Sequence, residues 1–258
     1  MVISATIMGV LHQIEIVIIV ALVVMCYTGA SNALNDYLDQ EIDLVNRPLR
    51  PIPSGNVNIN TAFYISIVLF IIGTILCLQL TQSAKVIGIA IAMPLLILYT
   101  KYFKGIPLIG NVIVAFIVGL SFLFSGAAFG QMPIMWIPMI LAFGLTLIRE
   151  LVKDIEDIKG DEILGLKTLP IMVGVQHTIK LIIILSVCMG IGALMPFYQG
   201  IYGVWYFIFL ILVVELPLTV VVFLLLSNPG IDSAKKSSQL LKFSTLGGLV
   251  AIYAGTII

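Results

Sequence analysis

Apolar runs of about 20 residues, separated by short polar stretches, dominate this chain, and each is long enough to cross a hydrocarbon core as a helix. Of its 258 residues, 60% are hydrophobic and 10% charged. A soluble domain has about 45–50% apolar and roughly 25% charged residues, so this chain cannot cover itself with polar surface. A soluble enzyme, a disordered chain and a disulfide scaffold are excluded. The fold class expected is all-α, a polytopic membrane helical bundle of eight to nine transmembrane helices. Hydropathy, read with breaks at Pro, Gly and charge clusters, predicts spans at 14–35, 61–80, 86–100, 108–129, 134–149, 179–197, 204–226 and 243–258. A ninth is left open at Met1–Leu11, which is apolar, too short to span, and without the basic start or cleavage site of a signal peptide. It reads as half of a shortened helix or as the remnant of a longer start. Cys26, Cys77 and Cys188 lie far apart inside apolar runs and read as small hydrophobes, with no zinc or haem spacing.

Threading the chain through these spans alternates its loops between two faces. One face receives 36–60, 101–107, 150–178 and 227–242, and with them twelve of the thirteen basic residues, all but Lys85. By the positive-inside rule that face is cytoplasmic. Eleven of the thirteen acids gather there too, all but Glu15 and Glu215. The rule makes no demand on acids, so their position needs another cause, and the chemistry is expected at the cytoplasmic face of the cell membrane.

The acids have a pattern. Asp36, Asp39 and Asp43 form D-x2-D-x3-D after the first full span, and Asp154, Asp157 and Asp161 repeat it 118 residues later, after the fifth. Two copies at equivalent helix ends suggest an internal pseudo-repeat, with one motif in each half. At about 100° per residue, positions i, i+3 and i+7 fall within an arc of roughly 60°, so each trio points from one side of a helix if the helix runs through it. Asn32 lies one turn before Asp36, and Glu150 holds the matching place before Asp154. Stacked carboxylates beside a low-dielectric membrane repel and need something positive. Mg2+ suits them, because it typically takes one or two carboxylates plus substrate phosphates and keeps several waters. Two facing trios would hold a diphosphate through bridging Mg2+. The alternative is a set of solvated loop acids neutralised by neighbouring Lys and Arg, which one copy permits far more readily than two.

Basic groups stand near both motifs. Asn46-Arg47-Pro48-Leu49-Arg50-Pro51-Ile52-Pro53 has too many prolines for a helix, and the stiff loop presents Arg47 and Arg50 beside the first trio. Arginine suits phosphate, since its planar fork donates parallel hydrogen bonds and stays charged. Tyr99, Lys101 and Lys104 close another span on the same face. A lysine there would neutralise a departing diphosphate, and Tyr99 either faces a cavity or belongs to an interfacial belt. Lys167 is a similar candidate past the second trio. Glu215 sits mid-span before Pro217 with no basic partner at membrane depth, and reads either as a functional acid or as a neutral one bonded to a kinked backbone.

With Asn35-Asp36-x2-Asp39-x3-Asp43, then Asn-Arg-Pro-x-Arg-Pro-Ile-Pro-Ser-Gly, then Asp154-x2-Asp157-x3-Asp161 and Gly165-x-Lys167-Thr168, the chain resembles the UbiA superfamily of intramembrane prenyltransferases over nearly its whole length. The resemblance implies one membrane domain over 1–258. It implies nine helices around a central cavity, with both motifs over its cytoplasmic mouth. It also implies Mg2+-dependent transfer of a prenyl group from its diphosphate. Metal ligands would be Asn35, Asp36, Asp39, Asp43, Asp154, Asp157 and Asp161, and the catalytic set Asp36, Asp39, Asp157, Asp161, Arg50 and Lys104. Asn32, Asn35, Arg47, Tyr99, Lys101, Arg149, Lys153 and Lys167 would bind substrate. Asn-Asp-Tyr-x-Asp-x-Glu-Ile-Asp and Arg149-Glu-Leu-x-Lys153-Asp-Ile-Glu-Asp look most like the archaeal ether-lipid branch, which adds geranylgeranyl to geranylgeranylglyceryl phosphate. An aromatic quinone precursor or a chlorophyllide-type molecule is the alternative acceptor. Family members usually open with a full first helix, so acceptor contacts made by that helix are in doubt here.

The expected partners are thus a prenyl diphosphate, a lipid or aromatic acceptor and membrane lipids, with no nucleic acid and no protein partner. The competing class is a cation transporter. Its sites usually lie near the midplane at broken helices, whereas these acids lie at one boundary beside an Arg-Pro loop that would repel a cation.

Overall fold

In hydrocarbon every backbone N–H and C=O must be satisfied within its own segment or a closed barrel, and the apolar runs of this chain take the helical solution. The computed structural model describes residues 1–46, 48–163 and 165–256, which form helices and turns with no strand among the described residues. The helices in chain order are α1 (Val2–Ile7), α2 (Ile14–Leu38), α3 (Gln40–Asn46), α4 (Ile59–Cys77), α5 (Gln82–Phe103), α6 (Ile109–Ala128), α7 (Met132–Glu156), α8 (Ile158–Ile163), α9 (Leu169–Val173), α10 (Val175–Tyr198), α11 (Val204–Ser227) and α12 (Ile231–Gly255). Seven of them, α2, α4, α5, α6, α7, α10 and α11, are long and apolar enough to cross a membrane.

The predicted spans correspond to these helices, with two differences. The eighth, 243–258, is the apolar second half of α12, whose first half carries Asp232, Lys235, Lys236 and Lys242; Ile257 and Ile258 lie outside the described residues. Met1–Leu11 contributes only the six-residue α1, so it supplies no ninth span. The helix ends that carry the aspartate motifs also extend further than hydropathy suggests. α2 continues to Leu38 and α7 to Glu156, because neither stretch contains a Pro or Gly that would stop a helix.

The chain divides into two compact units, residues 1–104 with 123–133, and residues 105–122 with 134–258. In the first, α2 packs along α4. Val17, Val20, Val23, Tyr27 and Ala30 recur at helical spacing and form the buried stripe of α2. The Tyr27 ring lies 6.0 Å from that of Phe70, and its hydroxyl pairs with Thr74 Oγ1 at 3.2 Å. α5 carries two π-helical stretches, Val86–Ala92 and Tyr99–Phe103. Each adds a residue to a turn and rotates the next part of the helix about its axis, a device common at functional positions.

In the second unit α7 packs against α12 and α10, and α12 against α11. Small residues allow the close approach that helices in lipid rely on. A Cβ on Gly247 would stand 2.6 Å from Val213 Cβ, so a larger residue would force α12 off α11. The same unit has a partly open apolar pocket of about 120 Å3 between α6, α7, α10, α11 and α12, lined by Phe122, Leu145, Met189 and Tyr206 among others.

Candidate active site

The two aspartate motifs share a backbone form that spacing did not reveal. α2 stops at Leu38 and α7 at Glu156, and the middle aspartate of each motif caps the helix, with φ −91° and ψ 11° at Asp39 and φ −92° and ψ 1° at Asp157. Asp39 N still donates to Asn35 O at 2.8 Å, and Asp157 N to Lys153 O at 2.8 Å. After each cap a short helix resumes, Asp43 N bonding to Asp39 O at 2.8 Å and Asp161 N to Asp157 O at 3.0 Å. The condition that one helix run unbroken through each trio is therefore not met. Each motif is a helix end, a bent aspartate and a fresh helix, and at the first motif the outer two acids, Asp36 and Asp43, still meet at one nitrogen of Arg50.

At the first motif, side chains from three stretches converge. Arg50 Nη1 donates to Asp36 Oδ1 at 3.2 Å and to Asp43 Oδ2 at 2.6 Å. The loop bearing it is folded back on itself, Ser54 N donating to Arg50 O at 2.9 Å and Val57 N to Pro51 O at 2.9 Å, so Arg50 is held rather than free to swing. Lys104 Nζ donates to the Asp39 carboxylate and to Asn35 Oδ1, the latter at 3.3 Å. The π stretch of α5 positions this lysine, its backbone N–H reaching Tyr99 O at 3.0 Å. Asp39 and Asp43 are only 8% and 6% exposed, and buried carboxylates persist where cations and hydrogen bonds offset their desolvation. Among the described residues, three acids here face two cations.

At the second motif the cations are placed otherwise. Asp154 Oδ2 accepts from Asn111 Nδ2 of α6 at 2.9 Å, and no cation pairs with it among the described residues. Arg149 Nη1 donates to Glu150 Oε1 at 3.1 Å, and Lys153 Nζ stands 3.5 Å from Glu150 Oε2. Asp157 is exposed and makes no side-chain bond among the described residues. Asp161 is half-buried at the start of α8.

The remaining candidates divide. Asn35, Asp36, Asp39, Asp43, Arg50 and Lys104 come together, as do Arg149 and Lys153 with Glu150. Asn32 points to an exposed face, and Lys101 lies over the Tyr102 ring at 5.1 Å and away from the acids. Tyr99 is half-buried, Lys167 is exposed in the turn before α9, and Arg47 lies outside the described residues. Asn111 was not singled out from sequence; a lone amide at the start of an apolar helix was its only signal. Glu215 ends a π stretch of α11 and lies over Gly190 of α10, where a Cβ would be 2.7 Å from its Oε2. Its Oε1 is buried with no partner among the described residues.

Every donor in both motifs is an oxygen, which is the chemistry Mg2+ accepts. Among the described residues no three acids lie close enough to hold a metal ion by themselves. One or two carboxylates per ion, completed by substrate phosphate oxygens, is the ordinary Mg2+ arrangement, so the residues fit the ion.

The model of the UbiA prenyltransferase family matches residues 2–246. The chain belongs to the UbiA prenyltransferase family. Digeranylgeranylglyceryl phosphate synthase of Methanosarcina mazei is 37% identical over 240 residues, 92% of this chain and 81% of the relative. That of Methanopyrus kandleri is 40% identical over 235 residues, 90% of this chain and 83% of its own length. A solved structure of digeranylgeranylglyceryl phosphate synthase superposes with a TM-score of 0.79 at 34% identity, covering 95% of this chain and 86% of the other. A UbiA homolog from Archaeoglobus fulgidus, solved bound to GPP and Mg2+, shares the fold at a TM-score of 0.60 and 16% identity, covering 92% and 88%. This UbiA member is an integral membrane prenyltransferase, with its apolar helices as the membrane part.

Proposed function

We propose that the chain transfers a geranylgeranyl group from geranylgeranyl diphosphate to the free hydroxyl of geranylgeranylglyceryl phosphate, with Mg2+, at the cytoplasmic face of the membrane. The observation that carries the reading is the first motif, whose carboxylates are gathered by Arg50 and Lys104 in a chain whose relatives over nine-tenths of its length are named for that product. In this reading both units act as one prenyltransferase domain over residues 1–258. Support for the cytoplasmic face comes from the distribution of basic residues, twelve of thirteen on the face that bears both motifs.

Asn35, Asp36, Asp39 and Asp43 on one motif, and Asp154, Asp157 and Asp161 on the other, would hold Mg2+ against the diphosphate. Bound there, Mg2+ supplies Lewis-acid neutralisation of the leaving group. Arg50 and Lys104 act on the same charge. Each already donates to carboxylates and has further N–H donors, which meet the diphosphate oxygens as the bond from allylic C1 to oxygen breaks. The electron pair leaves with the diphosphate, and the allylic cation is attacked at C1 by the acceptor hydroxyl oxygen. Its proton passes to a carboxylate such as Asp157, exposed and without a cation of its own among the described residues. The prenyl tail lies among apolar side chains, where exclusion of water protects the cation from hydrolysis.

The test is incubation of the purified, membrane-reconstituted protein with geranylgeranyl diphosphate and a panel of acceptors, with products read by mass. Digeranylgeranylglyceryl phosphate is expected with Mg2+, its loss with EDTA, and its return on adding Mg2+. Product from 4-hydroxybenzoate or a naphthoate instead would overturn the acceptor, and turnover that resists EDTA would overturn the metal.

A further inference from the structure

We infer that Arg149 and Lys153 form a receptor for the phosphate monoester of the acceptor, with Glu150 as the carboxylate that holds the two cations together until the phosphate arrives. The inference rests on the acceptor proposed above being a phosphorylated lipid and extends it to the residues that recognise the phosphate.

Four observations converge. Arg149 and Lys153 stand one helical turn apart near the end of α7, and both turn to one carboxylate, at 3.1 and 3.5 Å. Glu150 is the least exposed of the three, its side chain 16% exposed against 30% and 38% for the cations, so solvent reaches the two positive groups more readily than the acid. Arg149 Nε is buried with no partner among the described residues, an orphan N–H donor on a guanidinium whose fork is otherwise built for two parallel bonds. Finally, the hydrogen bond that Asp154 accepts comes from the Asn111 amide, and neither Arg149 nor Lys153 pairs directly with Asp154 among the described residues. At the first motif the reverse holds, both cations being bonded directly to aspartates.

Arg149 and Lys153 each keep N–H donors beyond those given to Glu150. A phosphate monoester offers three oxygens and a charge near −2, suited to bridging the accessible N–H donors of Arg149 and Lys153. A neutral hydroxyl in the same place would satisfy neither cation. The site therefore selects a phosphorylated acceptor. The same chemistry would come from a membrane phospholipid or from the donor diphosphate, and the test separates the three.

In reconstituted protein, initial rates are measured with geranylgeranylglyceryl phosphate and with its dephosphorylated counterpart, geranylgeranylglycerol, at varied donor. R149Q and K153Q are each expected to raise the KM for the phosphorylated acceptor about tenfold, the loss of one charge-assisted contact, while the donor KM moves by less than about twofold. Both variants lose discrimination between the two acceptors, and R149K recovers part of it. A rise in donor KM with acceptor KM unchanged would move the pair to the diphosphate and overturn the inference. An acceptor KM that rises in the wild type on exchanging neutral for anionic bilayer lipid, and no longer does so in the variants, would assign the pair to phospholipid and overturn it equally. Should either glutamine variant fold poorly, the wild-type ratio of kcat/KM between the acceptors still decides: parity excludes a phosphate receptor. Wild-type protein that ignores geranylgeranylglyceryl phosphate altogether would sink the proposed acceptor, a result distinct from a wild type that uses it while the variants keep its KM.

Discussion

The two aspartate motifs have the same spacing and the same bent middle residue, yet they manage charge in opposite ways. The first imports its cations, Arg50 from a proline loop and Lys104 from the end of α5, and bonds them to the acids. The second carries its cations on its own helix and turns them to Glu150, leaving Asp154 to an amide. A repeated sequence thus holds one site whose aspartates are largely neutralised and one whose nearest cations are engaged by a neighbouring glutamate. Two copies of a motif need not do the same work. In the proposed function the first would grip the leaving group with cations already in place, and the second would draw in metal and a second anion.

Asp36→Asn and Asp157→Asn test whether both halves are needed. Each is expected to lower Mg2+-dependent diphosphate release by about 10^2–10^3-fold, the scale of losing one preorganised electrostatic contact. Full activity in D157N would break the comparison by making the second motif dispensable. Arg50→Ala should come next, at about a hundredfold, with Arg50→Lys restoring only part, because an ammonium that takes the place of Nη1 between Asp36 and Asp43 lacks the other N–H groups of the guanidinium left for phosphate. Equal rates in R50K and wild type would reduce Arg50 to a point charge. Asn111→Ala removes the one amide held to Asp154 and leaves a half-buried acceptor without it, so about 1–3 kcal/mol of stability should be lost, read as a fall in Tm of the detergent-solubilised protein. An unchanged Tm would show that Asp154 finds water instead. The smallest effect is expected of Glu215→Gln, a near-isostere that keeps the packing over Gly190; activity should stay within about twofold. A large loss there would give the membrane acid a catalytic part and leave the two-motif picture incomplete.

Much of the candidate site was legible in the sequence because its signals are local. The D-x2-D-x3-D spacing, its repeat after 118 residues and the adjacent Arg-Pro loop need no fold to be seen. The membrane class follows from apolar run length, which hydrocarbon thickness fixes independently of packing. Less legible were the break at each middle aspartate and the part played by Asn111. No Pro or Gly marks Asp39 or Asp157, so nothing in local propensity stops the helix there. Lys101 and Lys104 looked alike on the chain, yet a π stretch ending one residue before Lys104 turns only the latter to the acids.

Composition and periodicity, then, determined that this chain inserts in a membrane, and the paired motifs carry the proposal that its chemistry concerns a metal and a phosphate. Which cation meets which acid was decided by tertiary structure alone. Lys104 and Asp39 are 65 residues apart, and Asn111 and Asp154 are 43. Such contacts depend on the rotation of whole helices against one another, a quantity that side-chain spacing along one helix does not carry.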